Sequence, residues 1–570
     1  MGNIIFVLLR RIHAPLIVLI CVYALAILGF VLIPGLDDQG KPWHMDFFHA
    51  FYFVSFMGTT IGFGEIPYPF TDAQRLWTII TIYASVIAWL YAIGSLLAII
   101  QDPTFRELNR INAFRRAVRR IAEPFYLICG YGGTGSLLVK ALTESSIRCV
   151  VIDTQHERIN MLSLEDLVLP VPGLCADVAK PDVLLTAGLK HRKCIGVVTL
   201  TDHDEVNLKV ALTSKLLNPA LRTIVRTETH DVEAHVALFG ANEIINPFDT
   251  FAGRLALALH SPGMFMLYEW MTGVPHEPLC KPLFPPRGTW ILCGYGRFGK
   301  AVHDKLSAEG VVTTIIEADP ELTDAPESAV IGDGTEATAL HKAGISQAVG
   351  IVAGTDDDIN NLSIIKAARA LKPDLFMVAR QNLTTNNIIF QAAQLDLIMR
   401  RGSVIAHKIF AVITTPLLAD FLRLARPQSN DWANQLINRI GALAGGEVPQ
   451  ISALSITEDA TPALCAGIRR GDQVALAELS HDPRERQQTL LAFPLLLKRG
   501  RNEKLLPDGA LILQEHDQIL FCGRHGFSTD MEWIAKNHNV YHYIHCGEEH
   551  PSSILWRLLA RRRHKEKRIV

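Results

Sequence analysis

Residues 125–135 read Phe-Tyr-Leu-Ile-Cys-Gly-Tyr-Gly-Gly-Thr-Gly, and residues 290–299 read Trp-Ile-Leu-Cys-Gly-Tyr-Gly-Arg-Phe-Gly. Each stretch is an apolar run of strand length that breaks into a G-x-G-x-x-G turn. The turns are Gly130, Gly132, Gly135 and Gly294, Gly296, Gly299. A helix-forming segment follows each turn. A second apolar run then ends on an acid, Asp153 in one copy and Glu317 in the other, at the same distance past the first glycine. The glycines permit a tight turn and a close approach of backbone to a pyrophosphate. The helix N-terminus offers free N–H groups, and the acid takes ribose hydroxyls. A single G-x-G-x-x-G is weak evidence, but this one recurs with its surroundings. Asp177 matches Asp333, and Thr201, Asp202 and Asn207 match Thr355, Asp356 and Asn361. Arg226 and Arg380 each close a later strand. The pattern predicts two Rossmann-like α/β units in tandem.

Composition sets the frame around that duplication. A chain of 570 residues predicts about three to five domains. With 55 Lys+Arg against 57 Asp+Glu, no basic excess favours nucleic acid. Hydrophobic residues at 49% and charged residues at 20% exclude a disordered chain. A mean hydropathy of +0.21 is high for a soluble protein and calls for lipid-embedded segments. The ten cysteines include no CxxC pair, and several lie inside apolar runs, so most of the chain suits a reducing compartment.

The apolar excess lies at the N-terminus. Leu16 to Ile33 and Leu76 to Ile100 are uncharged runs. A bilayer core takes about 20 apolar residues as helix, so both runs are read as spans. The first exceeds a signal-peptide h-region and lacks an A-x-A cleavage site. Arg10 and Arg11 flank the first span. Six arginines from Arg106 to Arg120 follow the second, while residues 34–75 carry only Lys41 and Arg75. That bias places both termini in the cytoplasm.

Between the spans, Asp46 to Met57 is apolar, aromatic and too short to cross, so it reads as a re-entrant helix. Thr59, Thr60, Ile61, Gly62, Phe63 and Gly64 follow. Non-helical backbone at membrane depth survives only inside protein or along a watery path. Alternating glycines let successive carbonyls point the same way, and a ring of them replaces the hydration shell of a potassium ion. Thr60-Ile61-Gly62-Phe63-Gly64 resembles the potassium-channel signature T-V-G-Y-G, with Ile for Val and Phe for Tyr. Glu65 stands where the family has Asp. The resemblance implies K+ in the filter and four copies of the chain around one axis. Gly94, inside the second span, is read either as a gating hinge or as a close-packing residue.

The duplicated part resembles the RCK domains, regulators of potassium conductance with the Trk-type nucleotide-binding fold. The resemblance is to bacterial multi-ligand-gated potassium channels with two spans and tandem RCK domains. It implies a pore domain over 1–101, with spans about 14–33 and 76–100, a pore helix about 46–57 and a filter at 59–64. A basic linker spans 102–123. The first RCK domain covers 124–287, and the second N-lobe with its crossover helix covers 288–446. A β-rich C-lobe over 447–530 and a C-terminal extension over 531–570 complete the chain. The first copy, with one long last helix over about 247–272, lacks a C-lobe. The resemblance further implies a ring of eight RCK units beneath a pore in the inner (plasma) membrane. It implies NAD or an adenine nucleotide such as ADP in one or both clefts, held by Gly130, Gly132, Gly135, Asp153 and Asp177 in the first. Gly294, Gly296, Arg297, Gly299, Glu317 and Asp333 form the second set, with Arg297 meeting a phosphate.

Other readings stay open at this point. An oxidoreductase needs an acid/base partner beside the nicotinamide, and the histidines near the repeats do not recur in register, so binding without turnover is expected. A membrane-anchored sensor without conduction would keep the repeats and not need the filter. The acids Asp202, Asp204, Glu205 and Asp356 to Asp358 follow strand ends. They either hold Ca2+ through oxygen ligands or complement a helix N-terminus. His542, His545, Cys546 and His550 are close enough to consider Zn2+ but match no strong motif. Tyr541, Tyr543 and Ile544 interleave with them as on a half-buried strand. The tail from Pro551 to Arg568 reads as a basic helix, docking on the ring or touching the inner leaflet.

Overall fold

The computed structural model describes residues 2–273 and 282–548. It divides into two compact units, Met1–Arg120 and Ile121–Val570. His550 and the basic tail lie outside the described residues.

In the first unit, helix Gly2–Leu32 runs to a two-strand turn in which β1 (Gly35–Leu36) pairs antiparallel with β2 (Pro42–Trp43). The short helix Phe47–Gly58 follows, capped by Asp46, whose carboxylate accepts the His49 N–H at 2.8 Å. The long helix Asp72–Gln101 opens on a reciprocal capping box between Thr71 and Gln74. It ends at Asp102, which caps the basic helix Pro103–Arg119. Phe30, Ala50, Phe53, Val54 and Phe56 close a small core, with Phe30 and Phe53 edge-to-face at 4.9 Å. The Trp77 indole donates to the Ala26 carbonyl at 3.1 Å and fills the space that a Cβ on Gly29 would need. Among the described residues, two single helices are long and apolar enough to cross a membrane, His13–Leu32 and Asp72–Gln101. Their outward residues, Leu16, Ile20, Leu25, Ile79, Ile87 and Leu90 among them, are exposed in the single chain.

The second unit holds two parallel sheets of identical topology. The first comprises β3 (Phe125–Cys129), β4 (Arg148–Asp153), β5 (Gly173–Cys175), β6 (Cys194–Thr199), β7 (Arg222–Arg226) and β8 (Glu243–Ile245), in the order β5-β4-β3-β6-β7-β8. The second comprises β9 (Trp290–Cys293), β10 (Thr313–Glu317), β11 (Val330–Ile331), β12 (Gly350–Ala353), β13 (Phe376–Gln381) and β14 (Leu397–Arg400), in the order β11-β10-β9-β12-β13-β14. These are doubly wound sheets whose strand order reverses beside β3 and β9, where such folds bind ligands. The central strands are buried on both faces, which is why they read as unbroken apolar runs. The duplication extends to side chains. Asn207 accepts the Thr201 N–H and donates to the Arg226 carbonyl at 3.1 Å; Asn361 repeats both bonds with Thr355 and Arg380, the second at 2.8 Å.

Each repeat lends its last helix to the other. Helix Pro247–His260, which follows β8, places Phe248, Phe251 and Leu255 in the core beneath the second sheet. Helix Arg401–Thr414, which follows β14, places Ile405, Ile409 and Ile413 in the core beneath the first. The segment 247–272 is therefore two helices and not one. Ser261 caps Pro262–Thr272, and Pro262 has no N–H with which to continue the preceding helix. Thr415-Pro416 repeats the break before helix Pro416–Ala425, with a bend of 110°. These apolar helices are covered by protein rather than built to span a bilayer.

An antiparallel sheet follows, with β15 (Gln450–Ser455), β16 (Ala492–Arg499), β17 (Asn502–Leu505) and β18 (Gln518–Gly523) in the order β15-β18-β16-β17. One of its faces packs on helices Pro262–Thr272, Pro416–Ala425 and Asn430–Ala444. Helices Pro462–Arg470, Phe527–Lys536 and His538–Cys546 share another core with it. The expectation of a half-buried strand through Tyr541–Ile544 is corrected here. Asn537 caps a helix, and the two buried residues, Tyr541 and Ile544, lie one helical turn apart.

Candidate functional site

After the short helix of the first unit, the backbone alternates its hand. Thr60, Gly62 and Gly64 have φ of +60°, +66° and +73°. Thr60 tolerates the left-handed region because its neighbours hold it: the Ile61 and Gly62 N–H groups both donate to the Phe56 carbonyl, at 3.0 and 3.3 Å. That bond pair hangs the strand from the C-terminus of the short helix. A Cβ on Gly62 or Gly64 would meet no atom within 4 Å, so φ alone, and not space within this chain, calls for glycine. Glu65 accepts the Tyr52 hydroxyl at 3.2 Å, tying the far end back to the same helix. Ile61 and Phe63 point outward, 61% and 69% exposed. Gly94 lies in an unbroken helix with nothing within 4 Å of its would-be Cβ, so no packing within the chain requires it.

The two Gly-rich turns are built alike. Gly130 and Gly294 have φ of +109° and +92°. A Cβ on Gly135 would overlap the Gly130 carbonyl oxygen, and one on Gly299 would overlap that of Gly294. Gly132 and Gly296 are the open positions: nothing lies within 4 Å of a Cβ on Gly296, and only Arg158 approaches one on Gly132, at 3.6 Å. Gly132 immediately precedes helix Gly133–Glu144, and Gly296 immediately precedes helix Arg297–Ala308. No side chain caps either helix. The bare turns leave room beside both uncapped helix starts, which fits a phosphate, while Thr384 and Gly402 of the second repeat lie against the first of them.

The acids sit where the spacing placed them and already have work. Asp153, 5% exposed, accepts the Tyr131 N–H at 2.6 Å and the Gln155 N–H at 2.8 Å. Glu317 accepts the Tyr295 N–H at 2.5 Å and the Asp319 N–H at 3.1 Å. Each carboxylate thus pins its own Gly-rich turn and keeps lone pairs for a ribose. Asp177 and Asp333 are exposed and close tight turns through the Ala179 and Thr335 N–H groups. Arg158, which the sequence reading passed over, pairs with Asp153 at 3.3 Å beside Gly132. Its signal was present: an arginine one helical turn and a half past the acid. Arg297 lies over the Phe248 ring at 5.7 Å and pairs at 3.0 Å with Glu228, a residue of the first repeat. No local spacing announces that pair. Arg380 lies over the same ring at 5.0 Å. Burial pushes its guanidinium down from the usual value, while Asp356, at 2.6 Å, opposes the shift.

The strand-end acids serve the fold. Asp204 accepts the Glu228 and Thr229 N–H groups, and Asp358 accepts those of Asn382 and Leu383. Asp202 pairs with Arg226 at 2.9 Å, as Asp356 does with Arg380. Asp357 caps its helix through the Asn360 N–H. These carboxylates bond backbone and guanidinium groups, and among the described residues they are not gathered as a set of cation ligands. His545 pairs with Glu478 at 2.8 Å and stacks on Tyr541. His542 approaches the Glu548 carbonyl, and Cys546 is exposed at the end of the same helix. These three do not converge as a zinc set. Among the described residues, the group whose ligand atoms do lie together is His230, Glu233 and Asp249, which also reads as a histidine between two carboxylates.

Comparison with known proteins follows the same division. Residues 17–102 match the family model described as "Ion channel", and residues 126–247 and 290–401 each match the TrkA-N domain. Potassium channel protein 1 of Methanocaldococcus jannaschii is 27% identical over 206 residues, 36% of this chain and 59% of that protein. Probable potassium channel protein 2 of the same organism is 25% identical over 222 residues, 39% of this chain and 63% of that protein. The chain thus spans about three fifths of the length of these relatives. A solved structure described as the GsuK channel bound to NAD is 16% identical, covers 93% of this chain and 99% of its own, and superposes with a TM-score of 0.48. The chain joins a domain of the ion-channel family to two TrkA-N domains.

Proposed function

We propose that four copies of this chain form a potassium-selective channel whose opening is set by nucleotides in the Gly-rich clefts. The observation that carries the reading is the alternation of left-handed backbone at Thr60, Gly62 and Gly64, hung from a short helix between two spans. Such a strand turns its carbonyls to one side. One chain offers one row of oxygens, and a dehydrated potassium ion needs a ring of them. Four chains around an axis supply that ring, and neighbours would cover Ile61 and Phe63. The names of the two relatives from Methanocaldococcus jannaschii agree with this cargo.

The clefts are binding sites without turnover. Their bare turns and uncapped helix starts suit the phosphates of NAD or ADP, and Asp153 and Glu317 suit a ribose. A nucleotide moves the gate only through unequal affinity for open and closed arrangements. Residues 102–123 connect the clefts covalently to the end of the second span. The arginine bias after that span supports a cytoplasmic position for the clefts.

The test is ion flux from liposomes containing the purified chain, with potassium inside or sodium inside, in the presence and absence of NAD and ADP. Potassium flux that a nucleotide alters, with no matching sodium flux, is the expected result. Equal flux of both ions would remove the selectivity claim. Selective flux indifferent to every nucleotide would remove the gating claim. Turnover of NADH by the same preparation would replace a binding cleft with an active site.

A further inference from the structure

One carboxylate joins the two repeats at their clefts. Glu228 follows β7 of the first repeat, and its side chain is 5% exposed. One oxygen meets Arg226 of its own repeat; the other meets Arg297 of the second Gly-rich turn at 3.0 Å. Arg226, itself 3% exposed, also pairs with Asp202 at 2.9 Å. Two carboxylates therefore share one buried guanidinium, and Arg297, with Arg380 close by, brings further positive charge to Glu228. Burying an ionised carboxylate is unfavourable unless it is so paired. The Glu228 backbone is held as well, since Asp204 accepts its N–H at 2.9 Å.

The arrangement is one-sided. At the place of Glu228 in the second repeat stands Asn382, which bonds to Thr355 and Asp358 of its own repeat. At the place of Arg297 in the first turn stands Gly133, against which Thr384 packs. Arg297, the first residue of the second cleft's helix, carries a guanidinium that is 54% exposed, whereas the guanidinium described beside the first turn, that of Arg158, comes from a later helix and pairs with Asp153. Arg297 can turn to a phosphate in the cleft or stay with Glu228.

We propose that Glu228 is a built-in competitor for phosphate at the second cleft, so that a phosphate-bearing ligand binds there by taking Arg297 from it. The inference rests on the reading of that cleft as a nucleotide site. It goes beyond that reading by assigning to a residue of the first repeat the control of anion affinity in the second. Glu228 also touches Arg226, which donates to the Leu200 and Thr201 carbonyls behind the first turn.

The experiment is calorimetric titration of the full chain with ADP and, separately, with adenosine. Gly132→Asp is present throughout to disable the first cleft. Glu228→Gln, which keeps the shape and removes the charge, is expected to tighten ADP about fivefold and leave adenosine unchanged. In an Arg297→Gln background the same change is expected to bring no gain. Unchanged ADP affinity in Glu228→Gln, or a gain that persists without Arg297, would overturn the competition. An equal shift for adenosine would overturn it too, by marking a general structural effect. Should Glu228→Gln fail to fold, Arg297→Gln carries the test: it weakens ADP and not adenosine, and unchanged ADP affinity rejects the proposal. Absence of ADP binding in every variant, the parent included, would reject the nucleotide reading itself and this inference with it.

Discussion

Single glycines here have distinct physical reasons, and the reasons separate by experiment. Gly62 is needed for its φ of +66°, because a Cβ there meets no neighbour in the chain. Gly62→Ala imposes a left-handed penalty of about 1–2 kcal/mol on each chain. It is expected to abolish potassium flux while the purified assembly keeps its size by gel filtration. Gly135 is needed for space, because a Cβ would overlap the Gly130 carbonyl oxygen. Gly135→Ala is expected to destabilise the first repeat by about 1–3 kcal/mol, read as a lower thermal midpoint. Gly132 is needed by neither criterion. Gly132→Asp should leave the midpoint near that of the parent, keep selectivity, and remove the nucleotide response of the first cleft. Cysteines make a further residue-scale case. Burial pushes the Cys149 and Cys194 thiols up to about 12, and Cys129, Cys293 and Cys522 also upward. At pH 8 these five stay protonated as well as covered. A water-soluble maleimide is expected to modify Cys546 in the native chain and to reach the five only after denaturation. Rapid labelling of Cys149 without denaturant would contradict the packing of β4.

Among the elements, chain order and packing part company. Helix Pro247–His260 belongs to the first repeat by sequence and to the core of the second by packing. Leu255, fully buried in that core, is therefore expected to act across the boundary. Leu255→Ala should cost about 2–5 kcal/mol, and hydrogen exchange should show the loss in β9 and β12 rather than in β3. Loss confined to the first sheet would contradict the exchange of helices. The break after this helix was legible from Pro262, and the matching Thr415-Pro416 shows that the duplication carries its own stop signal. The helix His538–Cys546 was misread because its apolar residues also suit alternation over so short a stretch. Asn537 at its start was the clue that favoured a helix.

At the scale of the whole molecule, two units of unlike chemistry share one chain: apolar helices exposed to their surroundings, and two parallel sheets with buried cores. Selectivity and nucleotide response should therefore be separable. Gly132→Asp together with Gly296→Asp is expected to give potassium-selective flux that no nucleotide alters, measured in the same liposomes as the parent. Loss of selectivity in that double variant would show that the clefts shape the filter. The strands, the Gly-rich turns, their acids, the two spans and the short helix were all written in local pattern, because periodicity, chain stiffness and glycine freedom act over a few residues. The helix exchange, the engagement of the strand-end acids and the meeting of Glu228 with Arg297 were not. They join residues far apart in the chain, and their pairing depends on which buried charges and apolar faces the packed repeats bring together. Local sequence determined what each segment is, and only tertiary structure decided which segments answer to one another, because burial and charge pairing are properties of the assembled core.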